Sequence, residues 1–453
     1  MAKWNFPGVY IEELKNNLIP TVKSLENTAV FLGYSEKCQN ENAQSIQNIP
    51  TEIHSILEFE KFFGTAQAEK NLVIHDFSNS GEDRFQVCFS GAKSKHNLFY
   101  SVKLFFENGG NSCKIISVGL FKEIGETITA NDFKTGLEAL QSENGTLLIS
   151  APESQNLSET DFYLLQQELL EFCEIHRGFA ILDLPKATED NYPNIITDYR
   201  AKLNSNSLKF GASFFPSVET SCSYRYDESA VEISKNGFFH PLSSFTNTQI
   251  SKYKNAIDHF SVIIPVGGAV MGAIMKNDMN IGIWKAPAVV ALNQVIRPEI
   301  SMTDSDQQSV NLNLSEKPIN CIRYFAGRGN LIWGSRTLAG NEIEWRYFPI
   351  RRLANKIEKE IQNSLHQFSL EENNVKTWSK IKSMASDYLY RFWNSGALMG
   401  AKPEHAYLVL CGLNETMTEQ DIAAGRIVLQ IGIAPVRPAE FIFLHCSVLT
   451  GKI

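Results

Sequence analysis

The chain has 453 residues, 43% of them hydrophobic and 20% charged, and its formal net charge at pH 7 is −8. These values are ordinary for a soluble globular protein of roughly two to three domains, and a negative balance argues against nonspecific nucleic-acid binding. The eight cysteines include no C-x-x-C pair, so the sequence predicts neither a nucleic-acid partner nor a cysteine-based metal site.

The first residues contain no apolar stretch or small-residue cleavage pattern of a secretion signal. Residues 8–14 (GVYIEEL) have the pattern of a strand, and Pro20 separates them from the next predicted strand, residues 28–33 (TAVFLG). Chain ends usually fray. A tethered strand therefore indicates pairing with a sheet edge, either in the same chain or in a neighbouring copy.

Residues 35–130 alternate polar stretches with apolar segments. The segments FQVCFSG, NLFYSVKLFF and CKIISVGLF all resemble strands in composition. We therefore expect a mixed, β-rich region with surface loops.

Residues 146–218 have a different pattern. Residues 146–151, 179–184 and 209–215 are compact apolar runs typical of buried strands. Between the first two, Ser158 can cap a helix whose apolar residues recur at three- and four-residue spacing, and a second helix is expected around residues 195–203. This alternation predicts a parallel α/β unit.

Two strands around Gly327 and Gly329 open the last part of the chain. A helix is predicted from Pro349 to about residue 368, and a second begins at Asn373 or Asn374. Further strands are predicted at residues 407–411 and 426–433. The chain then ends in another strand-like segment, residues 439–449 (AEFIFLHCSVL), set off by Pro435 and Pro438.

The evidence for catalysis is weak. Asp183 follows an α/β strand, where such folds place catalytic groups, but no Ser, His or phosphate-binding loop accompanies it, and a structural role is the preferred interpretation. The glycines of residues 267–272 (GGAVMG) are better explained by close backbone packing than by a dinucleotide loop. The stretch 260–275 is shorter than the roughly 18–20 residues of a membrane span.

Several blocks, in order, resemble the contractile tail sheath proteins of phages, R-type pyocins and extracellular contractile injection particles. They are FPGVYIEEL (6–14), TAVFLG (28–33), GIWKAPA (282–288), INCIRYFAGRGNLIWGSRTL, EWRYFPIRRLANKIEKEIQNSL, RFWNSGALMG and VLQIGIAPVRPAEFI. Residues 35–130 and 220–260 match this pattern poorly.

The resemblance implies a mixed α/β, multi-domain fold with arms that exchange strands between subunits. An N-terminal arm would comprise residues 1–25, and outer domains residues 26–317, with a variable insertion at about 35–130 and the α/β unit at about 146–218. An inner α+β sheath domain would comprise residues 318–435, and a C-terminal arm residues 436–453.

The resemblance also implies a structural, non-enzymatic subunit without cofactors, which polymerises as a helical sleeve around an inner tube and contracts to drive the tube through a membrane. Its partners would be copies of itself, the tube protein, baseplate and terminal cap proteins, and paralogous sheath subunits, without membrane insertion. Assembly would occur in the bacterial cytoplasm, followed by a released extracellular particle, a membrane-anchored particle or a virion. A phage tail sheath is the nearest alternative, and an α/β enzyme around Asp183 the remote one.

The residues that the resemblance assigns to these roles lie in the two arms and in the inner domain. The arm strands would use Val9, Tyr10, Ile11 and Glu12 at the front and Phe441, Ile442, Phe443 and Leu444 at the back. The hinges would be Pro20, Pro435 and Pro438. Positive side chains facing an acidic tube would be Lys376 and Lys380, with Arg351 and Arg352 as second choice.

Overall fold

The computed structural model of the chain describes residues 21–22, 24–79, 82–288, 290–311, 317–340, 342–436 and, by their backbone, 442–449. Their contacts divide into two compact units. One is Leu25–Lys356, and the other comprises Met1–Ser24 and Ile357–Ile453. Each unit is described by itself below.

The unit Leu25–Lys356 is mixed α/β, as predicted. Its strands are β1 Asn27–Ser35, β2 Thr51–Ile53, β3 Leu72–Asp76, β4 Phe85–Phe89, β5 Cys113–Leu120, β6 Thr146–Ser150, β7 Phe179–Asp183, β8 Gly211–Phe215, β9 Val218–Ser223, β10 Glu232–Lys235, β11 Phe238–Pro241, β12 Ser261–Ile264, β13 Val295–Pro298, β14 Ile319–Phe325 and β15 Gly329–Trp333. Its helices are α1 Ile56–Phe63, α2 Leu98–Glu107, α3 Ala130–Glu138, α4 Glu159–His176, α5 Tyr192–Lys202, α6 Asn247–Asp258, α7 Gly267–Asn280 and α8 Asp304–Asn311, and α9 Phe348–Leu365 begins here.

The main sheet has eight strands in the order β15-β14-β8-β7-β6-β1-β5-β2. The six strands from β14 to β5 are parallel, and β15 and β2 are antiparallel strands at the edges. Side chains alternate between two cores: Phe31 of β1 packs with α2 and α7, and Val30 packs with α3 and α4. A sheet buried on both faces explains why its strands are continuous apolar runs.

The predicted α/β unit is confirmed. β6, β7 and β8 pair in parallel, and α4 and α5 connect them. The Ser158 hydroxyl caps α4 by accepting a hydrogen bond from the Asp161 amide at 3.2 Å.

One predicted strand is wrong. The segment NLFYSVKLFF forms α2, of which Leu98, Val102 and Phe105 are buried. Its aromatic and β-branched residues favour a strand intrinsically, but its buried positions recur at three- and four-residue spacing. Packing between β1 and α7 therefore overrides the local preference.

The glycines of residues 267–272 form the first turns of α7, a helix that we did not predict. A Cβ atom on Gly268 or Gly272 would overlap the carbonyl oxygen of Ser101 or Phe105 in α2. The absence of side chains lets the two helices approach closely, so close packing is the correct interpretation of this motif.

The two segments that match the sheath pattern poorly fold together. β3 and β4 come from the first segment and β10 and β11 from the second, and they form one sheet in the order β11-β10-β3-β4. α6 and these strands enclose a core of their own around Ile74, Ile233 and Tyr253. We call this part the insertion lobe.

A separate small sheet, β12-β9-β13, belongs to the same unit.

The second unit contains the rest of α9, α10 Val375–Asn394, α11 Pro403–Ala406, α12 Glu419–Ala423, β16 Tyr407–Leu410, β17 Arg426–Ile433 and β18 Ile442–Leu449. The division between the units falls inside α9, whereas the sequence placed a domain boundary near residue 318. The reason is β14, which follows residue 318 and pairs with β8 in the main sheet.

Candidate assembly site

The strand predicted at residues 439–449 is confirmed for Ile442–Leu449, which form β18. β18 pairs antiparallel with β17 along its whole length, from Ile433 opposite Ile442 to Arg426 opposite Leu449. The strand order is β16-β17-β18, so β17 is central and β18 lies at an edge. Backbone hydrogen bonds of this kind hold any added strand, whichever chain supplies it.

Burial alternates along the receiving strand β17 from Arg426 to Ile431. Ile427, Leu429, Ile431 and Ile433 are buried, whereas Val428 is half-buried. A one-residue slip would turn this apolar set outward, so the alternation fixes the register of β17 within its sheet.

Local capping fixes where β17 begins. Thr418 and Asp421 form a reciprocal capping box at the start of α12. Gly425 then adopts a left-handed φ of 69° and ends the turn. Asn374 caps α10 by accepting from the Thr377 amide at 3.1 Å.

Asn373, which the sequence offered as the alternative cap, has another role. Its side-chain amide donates to the carbonyl of Arg426 at 3.0 Å, and its oxygen accepts from the Trp378 indole at 2.7 Å. It therefore ties the start of β17 to the first turn of α10. Sequence reasoning missed this link because the two segments are distant in the chain.

The opposite edge of the sheet is β16. Its Leu408 is 42% exposed, and within the described segments no strand pairs with β16 other than β17. Unpaired strand edges accept further strands. Among the described residues, the sheet thus has one edge occupied by the back arm and one edge, β16, without a partner strand.

The predicted arm residues are only partly covered. Ile442, Phe443 and Leu444 lie in β18 opposite Ile433, Gly432 and Ile431. The remaining predicted arm and hinge positions lie outside the described residues, namely Val9, Tyr10, Ile11, Glu12, Phe441, Pro20 and Pro438. Pro435 is buried and lies beside Leu398 in an isolated bridge, with the Val436 amide donating to Ala397 at 3.0 Å.

Comparisons with known proteins identify this part of the chain. The Phage tail sheath C-terminal domain family matches residues 342–448. The chain is 26% identical to the PVC sheath in the structure of an extracellular contractile injection system sheath complex in the contracted state, with a TM-score of 0.64 and 98% of each chain covered.

Residues 342–448 match the phage tail sheath C-terminal domain family, and the whole chain is similar to contractile sheath proteins.

Two further relatives define how far the likeness extends. A chain of the anti-feeding prophage baseplate is 26% identical, with a TM-score of 0.62 and 100% of both chains covered. The tail sheath protein of Enterobacteria phage T4 is 24% identical over 182 residues, which is 40% of this chain and 26% of the phage protein. The match thus spans about a quarter of the length of the phage T4 protein.

The positive residues predicted to face a tube differ in their surroundings. Lys376 is exposed on the first turn of α10. Lys380 is half-buried, with its ammonium group 2.8 Å from a carboxylate oxygen of Glu371. Of these two lysines, only Lys376 therefore has an exposed positive charge without a partner among the described residues.

The two arginines do not fit that role. Arg351 and Arg352 are each 3% exposed. Arg351 stacks 4.0 Å from the ring centroid of Trp345, and Arg352 forms a two-pronged ion pair with Asp278. Both lie inside the unit Leu25–Lys356, where they stabilise the fold, so we withdraw them as tube-facing candidates.

Asp183 has a structural position at the end of β7. Its Oδ1 accepts a hydrogen bond from the Gly267 amide at the start of α7 at 3.0 Å. Burial raises the pKa of Asp183 to about 7, and the backbone amides of Gly267 and Val266 oppose that shift. The side chain thus acts as a cap for α7. The proteins that this chain resembles are sheath proteins, not enzymes.

Two features are absent from the described segments. No group of three or more His, Cys, Asp or Glu residues there is arranged to hold a metal ion. None of the helices found there combines the length and the apolar composition that crossing a bilayer requires.

Proposed function

We propose that this chain is the repeating subunit of a helical contractile sleeve, which surrounds an inner tube and contracts to drive that tube through a target membrane. Similarity along 98% of the chain to a contracted injection-system sheath supports this function. The similarity to the phage T4 protein covers 40% of the chain. We favour the sheath of an injection particle because the 26% identity to chains of such particles extends along the whole chain.

The observation that carries the proposal is the pairing of β18 with β17. The same eight residue pairs can form between β18 of one copy and β17 of the next, because the hydrogen bonds are made by the backbone. Such a contact joins two different surfaces and propagates as a helix instead of closing a dimer. The front arm would pair in the same sheet, for which β16 offers the open edge.

The arms would keep subunits linked while each copy rotates as a rigid body during contraction. Pro435 is held by neighbouring backbone bonds, so Pro438 is the better hinge of the back arm. The inner tube, the baseplate and a terminal cap would be the other partners, and paralogous sheath subunits a further class. Assembly would take place in the bacterial cytoplasm, before release, membrane anchoring or packaging into a virion.

Electron microscopy of two truncated proteins tests the sleeve. Deleting residues 437–453 or residues 1–20 should leave a folded protein that forms no tubes, while the full chain forms them when expressed with its tube protein. The melting temperature of each truncated protein controls for folding. Tubes of normal length from both truncations would contradict the proposal.

A disulfide test distinguishes pairing within one chain from pairing between copies. Val428 lies opposite Ser447, and the Cβ atoms of opposite residues are about 4.5–5.5 Å apart. In assembled sleeves, oxidised Val428→Cys/Ser447→Cys protein should give a ladder of covalent oligomers on a non-reducing gel. Val428→Cys alone is the matched control. A cross-linked monomer from intact sleeves would show that β18 stays in its own chain.

A further inference from the structure

A cavity of about 390 Å³ opens within the unit Leu25–Lys356, at the carboxyl ends of the parallel strands. Gln155, Lys186 and Ser217 line it, and they follow β6, β7 and β8 respectively. Open α/β sheets bind their ligands at this edge. The cavity takes no part in the strand pairing that links subunits.

Two lysines line this cavity together with one carboxylate, that of Glu299. Lys93 and Lys186 both contribute to its wall, and neither forms an ion pair with a described residue. Partial desolvation of its ammonium group, followed by the charge of Lys93, lowers the pKa of Lys186, although the residue as a whole is exposed. Two ammonium groups that repel each other across a cavity leave a site of positive potential.

The start of α2 adds to this potential. Asn97 precedes the first turn of this ten-residue helix and lines the cavity, and no side chain caps the helix. The side-chain amide of Asn97 donates to the Pro152 carbonyl instead, at 3.4 Å. The amides of a helix start carry partial positive charge and favour an anion.

One carboxylate, that of Glu299, also lines the cavity. Burial raises the pKa of Glu299, whereas the charges of Lys93 and Lys186 and a hydrogen bond from Ser217 lower it. With two lysines and one glutamate in the wall, the net charge remains positive when all three are ionised. The lining therefore still attracts a small anion.

We propose that this cavity binds a phosphate group, held between the ammonium groups of Lys93 and Lys186 beside Asn97, the residue that precedes α2. A phosphate dianion matches two separate point charges better than a carboxylate does, because it offers oxygens in several directions. The volume falls within the range of small-ligand sites, so it accommodates inorganic phosphate or the phosphate of a small ester.

Calorimetric titration of the full-length protein with inorganic phosphate, at pH 7 and constant ionic strength, tests this site. Phosphate should bind and raise the melting temperature, whereas chloride at equal ionic strength should not. A parallel titration with glycerol 1-phosphate separates the two sources. Tighter binding of the ester indicates that an organic phosphate fills the cavity, and equal binding indicates free phosphate.

The variant Lys93→Gln/Lys186→Gln should weaken phosphate binding by about tenfold or more. Lys37→Gln, at an exposed lysine outside the cavity, should bind like the parent protein. Lys186→Arg keeps the charge and should retain binding, which controls for misfolding of the double variant. Equal phosphate affinity in the parent and the double variant, or no binding beyond chloride, would overturn the site. Neither result bears on the sleeve.

Discussion

Asp183 and Gly267 are 84 positions apart in the chain and are joined by one hydrogen bond, from the Gly267 amide to Oδ1 of Asp183 at 3.0 Å. Asp183 ends β7 and Gly267 begins α7, so this bond fixes the start of a buried helix above the centre of the main sheet. Oγ of Ser150, at the end of β6, is also buried and has no hydrogen-bond partner.

Asp183 should make the stability of the protein depend on pH. Burial raises its pKa from 3.8 to about 7 in the folded state. The folded protein therefore holds the proton more tightly than the unfolded chain, and the free energy of unfolding should fall as the pH rises from about 4 to 7. Asp183→Asn keeps an acceptor for Gly267 and can donate to Ser150.

We accordingly expect Asp183→Asn to match the parent protein near pH 4 and to be more stable by about 1–3 kcal/mol at pH 8. Urea unfolding at both pH values measures this difference. Asp198→Asn, at an exposed position on α5, should show no such change. A variant less stable than the parent at pH 8 would mean that the ionised carboxylate is needed to hold α7.

Gly268 should be intolerant of even one methyl group. A Cβ atom there would overlap the Ser101 carbonyl of α2, so α2 and α7 would have to separate. We expect Gly268→Ala to lower the free energy of unfolding by about 1–3 kcal/mol. Gly91→Ala is the control, because its nearest neighbour, the Asn71 side chain, would lie 3.4 Å away. Equal urea midpoints for the two variants would contradict this account.

Strands and capped helices of the main sheet were predictable where one local signal dominated. β7 is an uninterrupted apolar run. In α4, the cap supplied by Ser158 and the three- and four-residue spacing of the apolar residues both predict a helix. α2 was not predictable, since Phe99, Tyr100 and Phe106 favour strands and only its packing neighbours make it helical. The insertion lobe was equally hidden, because β3 and β10 are joined by pairing across distant segments.

The candidate site followed the same rule. The strand β17 and the strand character of the back arm could be seen from alternating apolar residues. Their register could not, because it depends on which residues of two separate segments meet. For Arg351 and Arg352 the predicted surface position was wrong, because it was inferred from charge alone. Asp278, the partner of Arg352, lies in a different helix and could not be identified from the sequence.

Tyr388 should be needed to satisfy a buried carboxylate. Glu360 is fully buried, and its two oxygens accept hydrogen bonds from the hydroxyl groups of Tyr388 and Ser24. Tyr388→Phe removes one donor and should cost about 1–3 kcal/mol of stability. Tyr390→Phe, at a residue that is 46% exposed, should be neutral. The urea midpoint of the full-length chain measures both, and a neutral Tyr388→Phe would show that Glu360 finds another donor.

Lys376 is the residue on which a weak electrostatic contact with the tube can be tested. Its charge is exposed and unpaired among the described residues, whereas Lys380 is already neutralised by Glu371. An exposed ion pair contributes about 0–1 kcal/mol, but the contact would recur at every subunit of the sleeve. It would also have to break on contraction, which favours a weak contact over a buried one.

We therefore expect Lys376→Glu to leave the melting temperature unchanged and to reduce the yield of extended particles that contain a tube. The loss should grow when the salt concentration is lowered, because screening then weakens. Lys402→Glu, an equal charge reversal at an exposed position before α11, controls for net charge. If electron microscopy showed equal numbers of tube-filled particles for both variants, Lys376 would be an ordinary solvated lysine and the tube contact would lie elsewhere.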